Sequence, residues 1–154
     1  MDLSDLISAD AILPALKAKS KKHVLQELSA LASGLTGLPE RDISDILLQR
    51  ERLGSTGVGQ GIAIPHGKVA GLNRIIGLYA RLERPIDFEA PDAEPVDMIF
   101  LLLAPESAGA DHLKALARIS RFLHMPSVVE SLRSAETSEA LHTVFRESEK
   151  EYAA

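Results

Sequence analysis

The stretch VDMIFLLLAP, residues 96–105, is the segment that most constrains the fold of this chain. From Met98 to Ala104 it has no polar side chain that could face solvent. Such a run is too short to cross a membrane, but it suits a β-strand that is buried on both faces. Strands of this kind belong to sheets that are covered by helices. The segment therefore predicts an α/β protein with a small, mostly buried sheet.

Helical periodicity precedes this strand. Apolar residues repeat at helical spacing between residues 20 and 35, with Ser20 as the predicted N-cap and Gly34 or Gly37 as the predicted end. A second helix is expected to have Pro39 at its first position and to end before residue 54, with Leu53 among its apolar positions. Two helices are therefore predicted before the strands begin.

Helical periodicity also returns after residue 105. Asp111 is predicted to cap a helix from His112 to His124, followed by a short helix to about residue 135 and a last one capped by Thr137 or Ser138. The first of these helices is expected to bury one face, formed by Leu113, Leu116, Ala117, Ser120 and Leu123.

Two further segments predict strands between the helical parts. GIAIP, residues 61–65, is short and apolar, and residues 74–82 partly alternate between apolar and polar positions. Residues 84–95 contain three prolines and several acids, which predicts a connection with one short edge strand. At 154 residues the chain has the length of a single α/β domain.

Charge and composition exclude several classes of function. The net charge of −5 argues against a nucleic-acid-binding protein, because such proteins carry basic faces. The first residues show no signal peptide, so no membrane insertion and a cytoplasmic location are expected. The chain has no cysteine, which excludes disulfides and thiol chemistry. The basic run at residues 17–22 is interpreted as a solvated face.

The glycine-rich stretch GSTGVGQGIAIPHGK, residues 54–68, holds the strongest candidate for chemistry. Its spacing fits neither a P-loop nor a dinucleotide-binding loop, and the five scattered histidines predict no metal site. His66 remains as a nucleophile, in a predicted turn between Pro65 and Gly67 where glycine would let a partner protein approach. A histidine that merely satisfies a turn is an equally good interpretation of the spacing alone.

Groups near His66 in the sequence could receive an anion. The glycines at 57, 59 and 61 can direct backbone N–H groups toward it, and the Ser55 and Thr56 hydroxyls are further donors. Exposed apolar residues such as Ile62 or Leu72 are expected to form a docking patch around His66.

The string RERLGSTGVGQGIAIPHGK, residues 50–68, closely resembles the signature of the enzyme IIA domains of the phosphotransferase system, fructose/mannitol class. Within that class the chain is most similar to the nitrogen-regulatory branch. The similarity extends to EPVDMIFLLLAP and HLKALARISRFL, so it spans nearly the whole chain. It implies one domain over residues 1–154, with a core at about 5–148, short mobile ends, and a mixed β-sheet flanked by helices.

The resemblance also implies an activity and a set of site residues. His66 corresponds to the histidine that accepts a phosphoryl group from an HPr-type phosphocarrier protein, so the chain would be a phosphotransferase that needs neither metal nor other cofactor. Arg50 and His112 correspond to the arginine and the second histidine of the family's active site. Ser55 and Thr56 are weaker candidates for orienting the phosphoryl group.

Three functions follow, in decreasing order of expectation. The first is a regulatory phosphocarrier whose phosphorylation state changes its binding to target proteins. The second is a sugar-transport IIA component that passes phosphate to a permease IIB domain. The third is a docking module that is never phosphorylated. The sequence leaves open the target proteins, the oligomeric state and the imidazole nitrogen that carries the phosphate.

Overall fold

The computed structural model describes residues 3–153, with the side chains of residues 3–147. The extreme ends of the chain, for which mobility is predicted, lie outside the described residues. The described strands form one sheet, and they are β1 (Ile12–Leu16), β2 (Gly57–Gly59), β3 (Ile62–Ala63), β4 (His66–Val69), β5 (Ile76–Ile86) and β6 (Val96–Pro105).

Strand β6 lies at the centre of this sheet, as the apolar sequence of residues 96–105 predicts. It pairs antiparallel with β5 on one side and parallel with both β3 and β4 on the other. β1 adds to β5 in parallel, and β2 adds to β3 antiparallel. The sheet is therefore mixed, and every residue from Met98 to Pro105 is buried.

Helices flank the sheet, and the described ones are α1 (Leu3–Leu6), α2 (Lys21–Thr36), α3 (Glu40–Arg52), α4 (Ala110–Leu123), α5 (Pro126–Ser134) and α6 (Ser138–Ala153). α2 packs against α3, and α3 contacts β4. Phe145 of α6 joins the helical layer to the sheet, with its ring 5.2 Å from Tyr79 and 5.7 Å from Phe100.

Several predicted helix ends are confirmed. The Ser20 hydroxyl accepts the His23 N–H at 3.1 Å, which caps α2. Gly37 ends α2 in the left-handed conformation at φ 78°, where a residue without Cβ is unstrained. Thr137 caps α6 by accepting the Ala140 N–H at 3.0 Å.

Other helix predictions are wrong in detail. Pro39 is the residue before α3 and not its first. Leu53 lies just after α3 with 85% of its surface exposed, because the chain leaves the helix there. Gly109, and not Asp111, precedes α4. The buried face of α4 is also different from the predicted one, and it consists of His112, Ala115, Ile119, Phe122 and Leu123.

The strand predictions are incomplete, since β1, β2 and β4 are not among them. β1 was not predicted, and its sequence ILPAL carries a proline, which sheets accept at an edge strand. No separate strand forms within residues 87–95, because β5 itself continues to Ile86 and pairs there with Val96.

Candidate functional site

His66 begins strand β4 and is paired in register with Leu102 of the central strand. The preceding carbonyl of Pro65 accepts the Leu102 N–H at 2.9 Å. The predicted turn at residues 65–67 is therefore wrong, because these residues extend along β6. The backbone of His66 is held in the sheet, while its side chain is half-buried.

A hydrogen bond decides which nitrogen of His66 can react. Nδ1 lies 2.8 Å from the carbonyl oxygen of Ile64, and because that oxygen can only accept, Nδ1 carries the proton. In the neutral ring the lone pair then resides on Nε2. Burial lowers the pKa of His66 below 6.5; the Ile64 carbonyl opposes this shift, the Arg50 charge adds to it, and the Glu51 charge opposes it. The ring is therefore neutral at pH 7 and Nε2 is available as a nucleophile.

Gly67 lets helix α3 approach the strand that carries His66. A Cβ at Gly67 would lie 2.6 Å from Cγ2 of Ile46, so the absent side chain makes room for α3. The expectation that Gly67 clears space for a partner protein is thus wrong, since its own helix fills that space. Arg50 lies one turn after Ile46 on α3, which brings its charge close enough to act on His66. Its Nη1 donates to the Gly54 carbonyl at 2.9 Å.

His112 lies in the first turn of α4, with its ring centroid 5.5 Å from that of His66. The residue is buried, and among the described residues its Nε2 has no hydrogen-bond partner. Burial lowers the pKa of His112, and the neighbouring His66 and Lys68 lower it further. The structure thus brings together His66, Arg50 and His112, which are far apart in the sequence.

The hydroxyls of Ser55 and Thr56 are engaged by protein acceptors. Ser55 Oγ donates to the Phe88 carbonyl at 2.7 Å and accepts the Gly57 N–H at 3.1 Å. Thr56 Oγ1 donates to the carboxylate of Glu51. These bonds orient the loop before β2, so neither hydroxyl hydrogen points freely at an incoming anion.

Sequence reasoning missed the buried ion pair beside this loop. Glu51 is only 9% exposed, and Lys21 donates to it at 3.2 Å. Lys21 also lies 5.2 Å from the centre of the Phe88 ring. The interpretation of residues 17–22 as a solvated face is therefore wrong for Lys21. The only available signal was the place of Glu51 directly after Arg50 in the quoted signature.

Apolar side chains are exposed near the site, although not the predicted ones. Ile62 is completely buried and Leu72 is partly buried in the core. Leu53, three residues after Arg50, is 85% exposed, and Leu113, next to His112, is 63% exposed. The predicted patch of Ile62 and Leu72 is therefore wrong, because neither side chain is exposed.

The geometry supports chemistry on an anion or an electrophile. A neutral imidazole nitrogen, a second imidazole and a guanidinium are the groups needed to attack a phosphoryl group and to neutralise its oxygens. Within residues 3–147 no group of three or more potential metal-ligating side chains occurs. None of the described helices is long and apolar enough to span a membrane.

Comparison with known proteins assigns the family. Residues 5–148 match the family described as "Phosphoenolpyruvate-dependent sugar phosphotransferase system, EIIA 2". The chain belongs to this EIIA family. The predicted resemblance to phosphotransferase-system IIA domains is thereby confirmed, and with it a place in phosphotransferase-system phosphoryl transfer.

Individual relatives refine the comparison of this EIIA chain. A protein described as "Nitrogen regulatory protein" from Bradyrhizobium diazoefficiens is 58% identical over 144 residues, which are 94% of each chain. The crystal structure of Nitrogen Regulatory Protein IIA-Ntr from Neisseria meningitidis is 35% identical, covers 93% of this chain and 98% of its own, and superposes with a TM-score of 0.87. The mannitol IIA structure from Escherichia coli, 18% identical with a TM-score of 0.74 and covering 90% and 97%, shares the fold. The predicted similarity to the nitrogen-regulatory branch is confirmed.

Proposed function

We propose that this EIIA protein accepts a phosphoryl group on Nε2 of His66 from an HPr-type phosphocarrier protein and regulates target proteins by its phosphorylation state. The observation that carries the proposal is the bond from Nδ1 of His66 to the Ile64 carbonyl. It leaves Nε2 with the lone pair on a ring that burial keeps neutral. A nucleophile in this state needs no separate base.

The transfer exchanges one phosphorus–nitrogen bond for another. The bond between phosphorus and the donor's imidazole breaks as the bond between phosphorus and Nε2 of His66 forms, through a loose transition state whose charge lies on the equatorial oxygens. We expect Arg50, whose charge acts on His66, to neutralise the charge on these oxygens, and His112, whose ring centroid lies 5.5 Å from that of His66, to donate a hydrogen bond to a phosphoryl oxygen. Ser55 and Thr56 contribute by orienting the loop rather than by donating to phosphate.

Regulation follows from the place of the phosphoryl group on the surface. Phosphorylation adds roughly 1.5 to 2 negative charges. In this protein the ring centroid of His112 lies 5.5 Å from that of His66, and the next residue in the sequence, Leu113, is exposed. A target that contacts this surface in the unphosphorylated protein would meet a charged group after transfer, so its affinity changes.

Intact-mass spectrometry tests the proposal. The protein is incubated with phosphoenolpyruvate and the upstream phosphotransfer proteins, beside His66→Ala and, as a matched histidine control, His124→Ala. We expect one phosphoryl group on the wild type and on His124→Ala, none on His66→Ala, and loss of the group in acid. If the donor protein is shown to be phosphorylated but transfers no phosphoryl group to the wild type, the docking module remains as the explanation.

The phosphorylated protein from this assay also tests the sugar-transport alternative. The family's description as a sugar phosphotransferase system favours that alternative. Mixed with a permease IIB domain, a sugar-transport IIA component would pass its phosphoryl group on within the mixing time. We expect the mass of the phosphorylated protein to persist instead.

A further inference from the structure

The carboxylate of Glu51 is a buried charged group to which the proposed transfer gives no part. Its side chain is 5% exposed, and Lys21 Nζ donates to Oε2 at 3.2 Å. The Thr56 backbone N–H lies 3.2 Å from both carboxylate oxygens, and the Thr56 hydroxyl donates to Oε1. A buried carboxylate is stable only with such donors, so Glu51 and the start of the loop hold each other in place.

A continuous series of hydrogen bonds leads from this carboxylate to the reactive ring. The carbonyl of Thr56, whose N–H is held by Glu51, accepts the Ile64 N–H at 3.0 Å. The carbonyl of Ile64 in turn accepts Nδ1–H of His66 at 2.8 Å. The N–H and the carbonyl of each residue belong to different peptide groups, so the connection is one of position: each bond fixes the residue that supplies the next acceptor. The direction of the Ile64 carbonyl therefore depends on the position in which Glu51 holds Thr56.

We propose that Glu51 is a positioning residue for His66, which acts through Thr56 and Ile64 to keep the proton on Nδ1 and the lone pair on Nε2. The proposal deepens the proposed phosphocarrier function and rests on it for its effect on rate, although the effect on the ring is independent of phosphorylation. Lys21 completes the arrangement, since its ammonium group pairs with the buried carboxylate and keeps the net charge beneath the loop small.

The Glu51 charge also acts on His66 directly. The carboxylate raises the pKa of His66 against the stronger effect of burial, as does the Ile64 carbonyl. Removing the charge and loosening the carbonyl therefore push the pKa of the ring in the same direction, downward. Loss of the charge alone lowers the pKa, whereas a change of tautomer requires the connection through Thr56 and Ile64.

The test is nitrogen-15 NMR of the His66 imidazole in Glu51→Gln, beside the wild type and the control Glu89→Gln. Glutamine keeps the size of Glu51 and an oxygen for the Thr56 N–H, but it cannot accept from every donor. Glu89 pairs with the same Lys21 at 3.3 Å and its side chain is 75% exposed, so its variant repeats the chemical change without the connection to Thr56. Thermal unfolding of each variant establishes that it is folded.

We expect Glu51→Gln to show a larger share of the Nε2–H tautomer and a lower His66 pKa, and to accept the phosphoryl group about tenfold more slowly, because the nucleophile is less well oriented. Glu89→Gln should match the wild type in all three measurements. If Glu51→Gln does not fold, Thr56→Val removes one donor to Glu51 and should shift the tautomer in the same direction.

A folded Glu51→Gln, or its Thr56→Val substitute, with the wild-type tautomer ratio would overturn the positioning role, whatever its His66 pKa. Failure of the proposed function gives a different result from failure of the positioning role. In that case the wild type itself accepts no phosphoryl group, while Glu51→Gln still differs from it in tautomer ratio and His66 pKa. The same shifts in Glu89→Gln would assign the effect to Lys21 or to net charge and would also overturn the proposal.

Discussion

Replacing Gly67 by alanine should show how tightly the reactive strand is fitted to α3. A Cβ at this position would lie 2.6 Å from Cγ2 of Ile46, whereas carbon atoms in ordinary contact are about 3.5–4.0 Å apart. Helix and strand must therefore separate by roughly 1 Å, since the β-branched Ile46 side chain has little rotamer freedom in a helix. Overpacking of this kind costs about 1–3 kcal/mol, which is the expected loss in the free energy of unfolding for Gly67→Ala.

A double-mutant cycle separates the clash from other effects of the new methyl group. Ile46→Ala removes the atom that Gly67→Ala would strike, so the double variant should be about 0.5–3 kcal/mol more stable than the sum of the two single losses. Urea unfolding of the four proteins measures this interaction energy. Additive losses, or a Gly67→Ala variant that is within about 0.5 kcal/mol of the wild type, would refute the close fit of strand and helix.

The same cycle has a functional readout. Arg50 follows Ile46 by one helical turn, so a displaced α3 carries the guanidinium away from His66. Misplacement by about 1 Å can slow a positioned reaction by as much as a hundredfold. Phosphoryl transfer to Gly67→Ala should therefore be slow and should recover in part when Ile46→Ala is added.

Three further outcomes are expected. Burial lowers the pKa values of His66 and His112, so the unfolded protein binds protons before the folded one as the pH is lowered from about 7.5 to about 5.5. The free energy of unfolding, measured with urea, should therefore decrease as the pH is lowered. The decrease should be smaller in a variant with glutamine at both positions. Gly77→Ala would place a Cβ 2.6 Å from the Phe100 ring, and thermal unfolding should report a loss of about 1–3 kcal/mol. His112→Ala should slow phosphoryl transfer by about 10²–10³ in a mass-based time course, as loss of one charge-stabilising donor does, while His124→Ala retains the wild-type rate.

The parts of the fold that could be predicted are those set by local sequence. The central strand follows from an unbroken apolar run, and the helix ends at Ser20, Gly37 and Thr137 follow from side chains or φ angles that act within one turn. His66 could be singled out because the spacing of residues 54–68 fits neither a P-loop nor a dinucleotide-binding loop, and the histidines are too scattered for a metal site. The phosphotransferase resemblance then supplied Arg50 and His112.

The parts that could not be predicted depend on contacts between distant segments. Lys21 and Glu51 are 30 positions apart, and nothing in a basic run shows that one of its lysines is buried. Helix α4 offers apolar residues on more than one side, so its periodicity could not tell that His112 faces inward while Leu113 faces out. Residues 65–67 look like a turn because proline and glycine flank the histidine, and pairing with β6 overrides that preference.

The pairing of His66 with Leu102 limits how far the backbone at the proposed phosphorylation site can move. β4 is held in register along the fully buried part of β6, so displacing His66 would break hydrogen bonds to that strand. A loop could reorganise around a new phosphate, but a strand in this place stays where it is. If His66 carries the phosphoryl group as proposed, we therefore expect the two states to share one backbone shape and to differ in surface charge, so that a partner protein distinguishes them by electrostatics.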